Sequence, residues 1–504
     1  MSRKFLNIVL SSALALVAVG CDFQEINVDP NRTTEIKPGP LLTYSQMQTN
    51  WDANTKNMQV GICMMVVQQT ATLKTTEVGV GDKYIQMDAP CNQYFIDLYS
   101  GALKNLKEME YIAGKTPEYV KMQGVGKIWS SYLYQRMTDL YGDVPYTEAC
   151  AGYHSGIYKP VYDKQEDIYN SLIANVQEGM ELLDKEGLPI EGDLFFDGDI
   201  AKWKKFGNSI LLHLGMRLSK VNPSLAKTVA SKAIAGGIMT EAADAARIVH
   251  YADGRNTIKN PLSYRFFQDN FIQNDAVKIS KTFLDYLQAT HDPRISVLCS
   301  LKDGNNDPAK QKGLSNGYSN ESSGSMPGFT KIEDYSNFNT NTIMKMDAPT
   351  ILMTASETLL LKAEAILRGW ASGDAAQAFD EAVKVAMEEQ KYFYGVEIPQ
   401  GQIDSFLGQK LFQKASGTEA KLEVLGCQYW VATFMNGFES FANWRRCGYP
   451  KLKAVNYSGN ISNGTIPRRL LYSLEEASIN AEHLQEAIAR QGEDKVTTRV
   501  WWDK

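Results

Sequence analysis

The sequence predicts a mainly α protein built from pairs of amphipathic helices, interrupted by long irregular inserts, with strands limited to minor short β-hairpins. Three observations carry this. Leu352, Ala355, Leu359, Leu360, Ala363, Ile366 and Leu367 recur at helical spacing and form one apolar stripe. After a break at Gly369–Gly373, Ala375, Ala378, Phe379, Ala382, Val383 and Ala386 form a second stripe. Alternation of apolar and polar residues, the mark of a strand, is scarce. Two such helices joined by a Gly/Ser turn make an antiparallel hairpin whose alanines allow close approach, the unit of a tetratricopeptide-like scaffold.

Read from its start, the chain opens with Arg3 and Lys4, then an apolar run from Phe5 to Val19 broken only by Asn7, Ser11 and Ser12. A basic head, an apolar stretch too short to span a bilayer comfortably and a small residue at its end describe an export signal over residues 1–20. Ala18-Val19-Gly20-Cys21 resembles a bacterial lipobox, with Ala18 where Leu is usual. That resemblance implies that Cys21 is lipidated and becomes the mature N-terminus. Two or more acyl chains hold a protein stably where one does so marginally.

Helical stretches are expected over about Pro40–Lys56, Asn92–Ala113, Glu118–Tyr141, Lys164–Asp184 and Asp199–Lys220, with Asp199 as an N-cap. Near the end, Ser473-Leu474-Glu475-Glu476 fits a capping box and Gly492 a C-terminal cap. Three segments resist the helical reading: inserts of about 74–89, 253–274 and 303–349. Residues 313–341, inside the third, hold fifteen Gly, Asn or Ser among twenty-nine, punctuated by Tyr318, Phe329, Tyr335 and Phe338. Long irregular segments in a compact protein are commonly functional or disordered, and scattered aromatics favour function.

Losing residues 1–20 leaves 484 and takes the formal charge from −6 to −8. Acidic and basic residues are interspersed with no Lys/Arg block, which argues against nucleic acid and anionic lipid as partners. Besides Cys21 the chain has Cys63, Cys91, Cys150, Cys299, Cys427 and Cys447, widely spaced and without a CxxC pair. Buried free thiols fit better than a disulfide framework.

Enzyme motifs are largely missing. His154, His213, His250, His291 and His483 are isolated from one another, so no HExxH and no local metal pair exists. Asp193, Asp197 and Asp199 flank Gly198 as in a calcium loop, but Phe195 occupies a ligand position and Lys204 replaces the bidentate Glu. Gln123–Lys127 is followed by Ile128 and lacks the earlier Gly and the Ser/Thr of a phosphate loop. Gly313-Leu314-Ser315-Asn316-Gly317 has the spacing of a hydrolase nucleophile elbow, yet polar Gly/Asn-rich sequence replaces the flanking strand and helix. A carboxylate pair for glycoside hydrolysis stays open, since sequence does not give a separation. No metal and no cofactor is indicated, and no enzymatic activity is expected.

Several stretches together resemble the SusD/RagB family of nutrient-binding outer-membrane lipoproteins. They are Phe23–Asn31 (FQEINVDPN), Asp139–Tyr146 (DLYGDVPY), Glu357–Asp374 (ETLLLKAEAILRGWASGD), Asn436–Glu439 with Trp444-Arg445-Arg446 and Gly448-Tyr449-Pro450, Ile466–Leu470, and Thr498–Asp503. They span nearly all of residues 21–504, implying one helical domain. The resemblance implies a lipid-anchored, non-catalytic protein on the outside of the outer membrane. It would cap a SusC-like TonB-dependent transporter and bind oligosaccharides, or in some members peptides, through its inserts. Asp22 and Glu25 partly resemble the acidic surface-export signal of such lipoproteins. The matched motifs read as structural: Arg445 and Arg446 beside aromatics suit a packed core, and Trp501 and Trp502 suit pinning of the C-terminus.

For a sugar ligand, the site needs aromatic platforms bordered by Asn, Gln, Lys or Arg, because sugars present flat apolar faces rimmed by hydroxyls. The inserts supply Lys74 and Tyr84 in the first, Asn260, Tyr264 and Phe267 in the second, and Asn316, Tyr318, Tyr335 and Phe338 in the third. These nine are the expected ligand contacts. A surface hydrolase using Ser315 or a carboxylate pair, and a lid that touches the transporter but no ligand, are the rival readings.

Overall fold

The computed structural model describes residues 36–49, 55–270 and 275–504. The signal segment, Cys21, the 23–31 motif, residues 50–54 of the first expected helix and residues 271–274 of the second insert lie outside the described residues. The longer helices are α1 (Pro38–Gln48), α2 (Asp88–Asp97), α3 (Lys104–Lys115), α4 (Val120–Tyr141), α5 (Gln165–Leu182), α6 (Ile200–Arg217) and α7 (Pro223–Gly236). They continue with α8 (Pro261–Gln268), α9 (Lys281–Ala289), α10 (Ala355–Leu367), α11 (Ala375–Tyr394), α12 (Gln400–Gly408), α13 (Gly417–Ala432), α14 (Gly437–Cys447) and α15 (Ala481–Gln491). The stretch expected as one helix over Asn92–Ala113 is α2 and α3 joined by a widened π turn at Leu98–Leu103.

Helices α3 to α7 pack largely on their sequence neighbours, while α10 packs on α11, on α6 and on α13. Asp199 caps α6 as expected, accepting from the Lys202 N–H at 3.1 Å. Asp193, which the calcium-like pattern had offered as a ligand, instead accepts from the backbone N–H groups of Phe195, Phe196 and Gly198 and from the Trp203 indole. Thr354 and Glu357 close a capping box on α10, and Asp374 accepts from Ala376 and Gln377 at the start of α11. Ala378, Ala382 and Ala386 are buried in this pair, as the stripe predicts. At Ser473 the expected capping box does not form. The Ser473 hydroxyl donates to Asn92, and a four-residue turn, Glu476–Ile479, precedes α15.

The α4–α5 crossing depends on two glycines. A Cβ on Gly124 would stand 2.7 Å from the Gly179 carbonyl oxygen, and one on Gly179 would stand 2.8 Å from that of Gly124. Backbone meets backbone here, so neither side can yield. Gly179→Ala should therefore lower stability by roughly 2 kcal/mol, overriding alanine's gain in helix propensity of about 1 kcal/mol. Thermal unfolding checks this.

The strands are short, as expected, but they pair across long stretches of chain instead of through tight turns. β1 (Thr70–Ala71) pairs with β5 (Lys278–Ile279), β2 (Val144–Pro145) with β3 (Tyr162–Asp163), β4 (Ala246–Ile248) with β8 (Thr350–Met353), and β6 (Cys299–Ser300) with β7 (Asn337–Phe338), all antiparallel. Two of these ladders, β1–β5 and β6–β7, pin the inserts to the scaffold.

The sequence motifs lie inside. Arg217 donates to Glu439 at 2.6 Å and to Asp139 at 3.3 Å, and the Trp502 indole donates to Asp139 at 2.8 Å. Arg445 lies between the rings of Phe441 and Trp502 and donates to the backbone carbonyls of Asp139 and Arg468. Arg446 grips Glu364 with both terminal nitrogens, at 2.8 and 2.6 Å. This network ties α4, α6, α10, α14 and the C-terminus together. The six cysteines after position 21 are free thiols. No helix among the described residues is long and apolar enough to cross a membrane.

Candidate ligand-binding cleft

The first and third inserts are built as one unit. Just after β1, Asp82 and Lys83 are fully buried and paired at 2.8 Å, and Lys83 also donates to the Thr72 carbonyl at 2.8 Å. The same Asp82 carboxylate accepts from the Asn316 side chain at 2.6 Å and from the Gly317 N–H at 3.1 Å. Asn316 in turn donates to the Thr70 carbonyl and accepts from the Ser280 hydroxyl. The turn at 316–317 is thereby fixed to β1 and to the start of α9.

The GxSxG glycines serve this packing. A Cβ on Gly313 would come within 2.5 Å of the Lys281 Cα, and Gly317 takes φ +84° against Val455. No nucleophile elbow forms, since the segment is a loop that makes a single bridge from Leu314 to Ser280.

Above this joint the inserts bury a small core of their own. Ala71, Leu73, Leu314, Met326 and Tyr335 are interior, with Tyr318, Phe329 and Ile332 half-buried at its edge. Phe329 stacks on Tyr335 at 5.8 Å, and the Lys312 ammonium lies 4.5 Å from the Tyr335 ring centre. Independent packing of this kind makes the inserts an ordered surface.

Beside Tyr318 the surface opens into a cleft of about 450 Å³. Tyr318, Ser315 and Asn316 form one side, Lys281, Thr282 and Asp285 of α9 a second, and Lys453 and Asn456 a third. Gln68 stands between them, accepting from the Thr282 hydroxyl at 2.9 Å and donating to the Lys453 carbonyl at 2.5 Å. Lys281 and Asp285 pair at 2.5 Å with about half of each side chain exposed, so they offer polar groups at little cost to the fold. The arrangement is one aromatic face ringed by amides, hydroxyls and both signs of charge. No histidine lines it.

The nine expected contacts are distributed unevenly. Asn316 and Tyr318 line this cleft. Lys74 is exposed nearby, next to Leu73, whose carbonyl accepts from the Asn320 N–H. Tyr264 and Phe267 are half-buried on α8, away from the cleft, with Tyr264 accepting from Asn256 at 2.8 Å. The remaining four are interior. Tyr84 is 1% exposed, and burial pushes its phenol above the ordinary range. Asn260 caps α8 and donates to the Ala348 carbonyl, Tyr335 belongs to the small core, and Phe338 packs on Phe266 from β7. These four hold the inserts together and present no free face to a ligand. The second insert also differs from expectation in containing α8, because Pro261 follows a capping Asn260.

Gln68, Lys281, Asp285, Lys453 and Asn456 were not among the expected contacts. The i, i+4 spacing of Lys281 and Asp285 marks an exposed helix face, while residues 453–456 carry no local signal. Among the described residues, no group of three or more His, Cys, Asp or Glu is gathered to hold a metal ion.

Comparison with known proteins shows the family and the fold. The family model SusD-like, described as starch-binding and associating with the outer membrane, matches residues 30–473. A solved chitin-binding protein shares 30% identity and superposes with a TM-score of 0.82, covering 93% of this chain and 100% of that one. A SusD-like protein from Bacteroidetes AC2a shares 26% identity at a TM-score of 0.82, with the same coverage. A chitin-binding SusD homologue from Flavobacterium johnsoniae, 24% identical, has the same fold at a TM-score of 0.75, over 92% of this chain and 98% of that one. No curated protein matches the sequence.

Proposed function

Because this chain belongs to the SusD-like family of starch-binding proteins that associate with the outer membrane, we propose that it captures oligosaccharides at the cell surface in the cleft beside Tyr318. In this reading Cys21 carries the lipid anchor, the body faces the cell exterior, and a SusC-like TonB-dependent transporter receives the sugar. The protein binds and releases without chemistry.

The observation that carries the reading is the cleft's make-up: one aromatic face on an independently packed insert core, rimmed by Asn316, Gln68, Lys281, Lys453 and Asn456. A sugar ring stacks its C–H face on Tyr318 while the rim groups bond its hydroxyls. The 30%-identical chitin-binding protein supports an amino-sugar oligosaccharide as the first ligand to try. Lys74, exposed beside the insert, is placed to meet a longer ligand, and Tyr264 and Phe267 would contact the transporter or a remote part of the ligand.

Calorimetric titration with chito-oligosaccharides, malto-oligosaccharides and short peptides tests the proposal. Binding of at least one sugar is expected, and Tyr318→Ala should weaken it about tenfold, the loss of roughly 1.4 kcal/mol of stacking. Binding of peptides alone would reassign the ligand class. Silence from folded protein across sugars and peptides alike would refute capture.

A further inference from the structure

We propose that the Tyr318 cleft is one end of a longer groove, and that the ligand is a linear oligosaccharide longer than a disaccharide. This rests on the glycan-binding reading above. Helix α9 buries Phe283, Leu284 and Leu287 and turns Lys281, Asp285 and Gln288 outward, a spacing of i, i+4 and i+7 that sets them in one row. The first two line the Tyr318 cleft. Gln288, one turn further along, lines a second cleft of about 800 Å³ together with His291.

The third insert walls both clefts. The Lys281 N–H donates to the Leu314 carbonyl at 2.7 Å, and the Gln288 amide donates to the carbonyls of Gln311 and Pro308 at 3.1 and 3.3 Å. Residues 308–314 therefore run antiparallel to α9, with Tyr318 beyond one end and Pro308-Ala309 at the other. Across the second cleft stand Gln402 and Ser405 of α12. That helix is fixed to the end of α9 by the Gln409 amide, which donates to the Thr290 carbonyl at 2.7 Å.

From Lys281 to Gln288 is seven residues, or about 10 Å along the axis of α9, and His291 lies past the end of that helix, so the two clefts together exceed the length of one hexose ring. The two ends differ in chemistry. Tyr318 offers a ring to stack on, whereas the second cleft has no aromatic lining and presents Gln402, Ser405 and His291. The side chains of these three make no hydrogen bond to any described residue, so their donors and acceptors are open to hydroxyls. A chain stacked on Tyr318 would continue along the α9 row and be held edge-on by these groups.

Titration of the full-length protein with chito- and malto-oligosaccharides from dimer to hexamer tests this. The hexamer is expected to bind about tenfold more tightly than the dimer, and the double variant Gln402→Ala/Ser405→Ala to erase that difference without changing dimer affinity. His291→Ala should act in the same direction. Tyr318→Ala should weaken dimer and hexamer alike. A hexamer affinity untouched by the α12 variant and by His291→Ala, with Tyr318→Ala still damaging, would overturn the groove and leave the Tyr318 site standing. No sugar binding by the wild-type protein would overturn both.

Discussion

Replacing Asp82 by alanine is expected to lower the unfolding free energy by about 4 kcal/mol and to abolish oligosaccharide binding. Asp82 is buried, and removing it strands the Lys83 ammonium in the interior without a counter-charge, facing the Thr72 carbonyl and, at 5.9 Å, the Tyr457 ring. An uncompensated buried charge is among the costliest single changes a core can suffer. The same substitution removes one of the two acceptors of the Asn316 amide, leaving the Thr70 carbonyl, and the acceptor of the Gly317 N–H, in the turn leading into Tyr318.

The two consequences separate in a double variant. Asp82→Ala/Lys83→Met replaces both charges with apolar groups and should recover much of the stability. It should not recover binding, because Asn316 and Gly317 still lack the Asp82 carboxylate. Chemical unfolding and sugar titration of the same samples check both halves. Restored binding in the double variant would show that Asp82 does not position the cleft.

The second large effect is expected at Glu364. Its carboxylate accepts two bonds from Arg446 and one from Arg368 at 2.8 Å. Burial pushes the carboxyl up, but the two guanidinium groups outweigh it and hold the group at about 2, below the ordinary 4.5. Glu364→Gln should lower stability by about 3 kcal/mol at pH 7, since Arg446 then lies buried without its counter-charge.

The pH dependence has a definite sign. A carboxylate with a depressed folded-state value contributes stability that is present above pH 4.5 and lost as pH falls toward 2. The gap between wild-type and Glu364→Gln should therefore shrink as the solution is acidified through that window. A gap constant from pH 7 to pH 2 would mean that the ion pair does not act as described.

Much of the scaffold is legible because its signals are local. The alanine stripe of α11, the Asp199 cap and the Gly/Ser break between α10 and α11 each depend on residues within a few positions, and each appears in the structure. The segments rich in Gly, Asn and Ser also mark where the inserts lie. What they do there is less legible. Tyr335 and Phe338 stand in the same polar stretch as Tyr318, yet two turn inward and one edges the cleft.

Composition cannot separate those cases, because inward rings are chosen by partners such as Phe329 and Phe266. The Asp82–Lys83 joint is equally silent in sequence. Two adjacent charges in a short loop read as solvent-facing, and partners scattered along the chain, Thr72, Asn316, Gly317 and Tyr457, receive them in the interior. The rim at Lys453 and Asn456 is brought in by the fold alone.

Hydrogen exchange of the backbone amides, followed with and without saturating oligosaccharide, tests the central claim most directly. Slowed exchange over residues 313–320 and 453–457, with little change on the far helices α5 and α7, is the predicted result. Exchange unchanged in both segments while another surface becomes protected would contradict capture by the inserts.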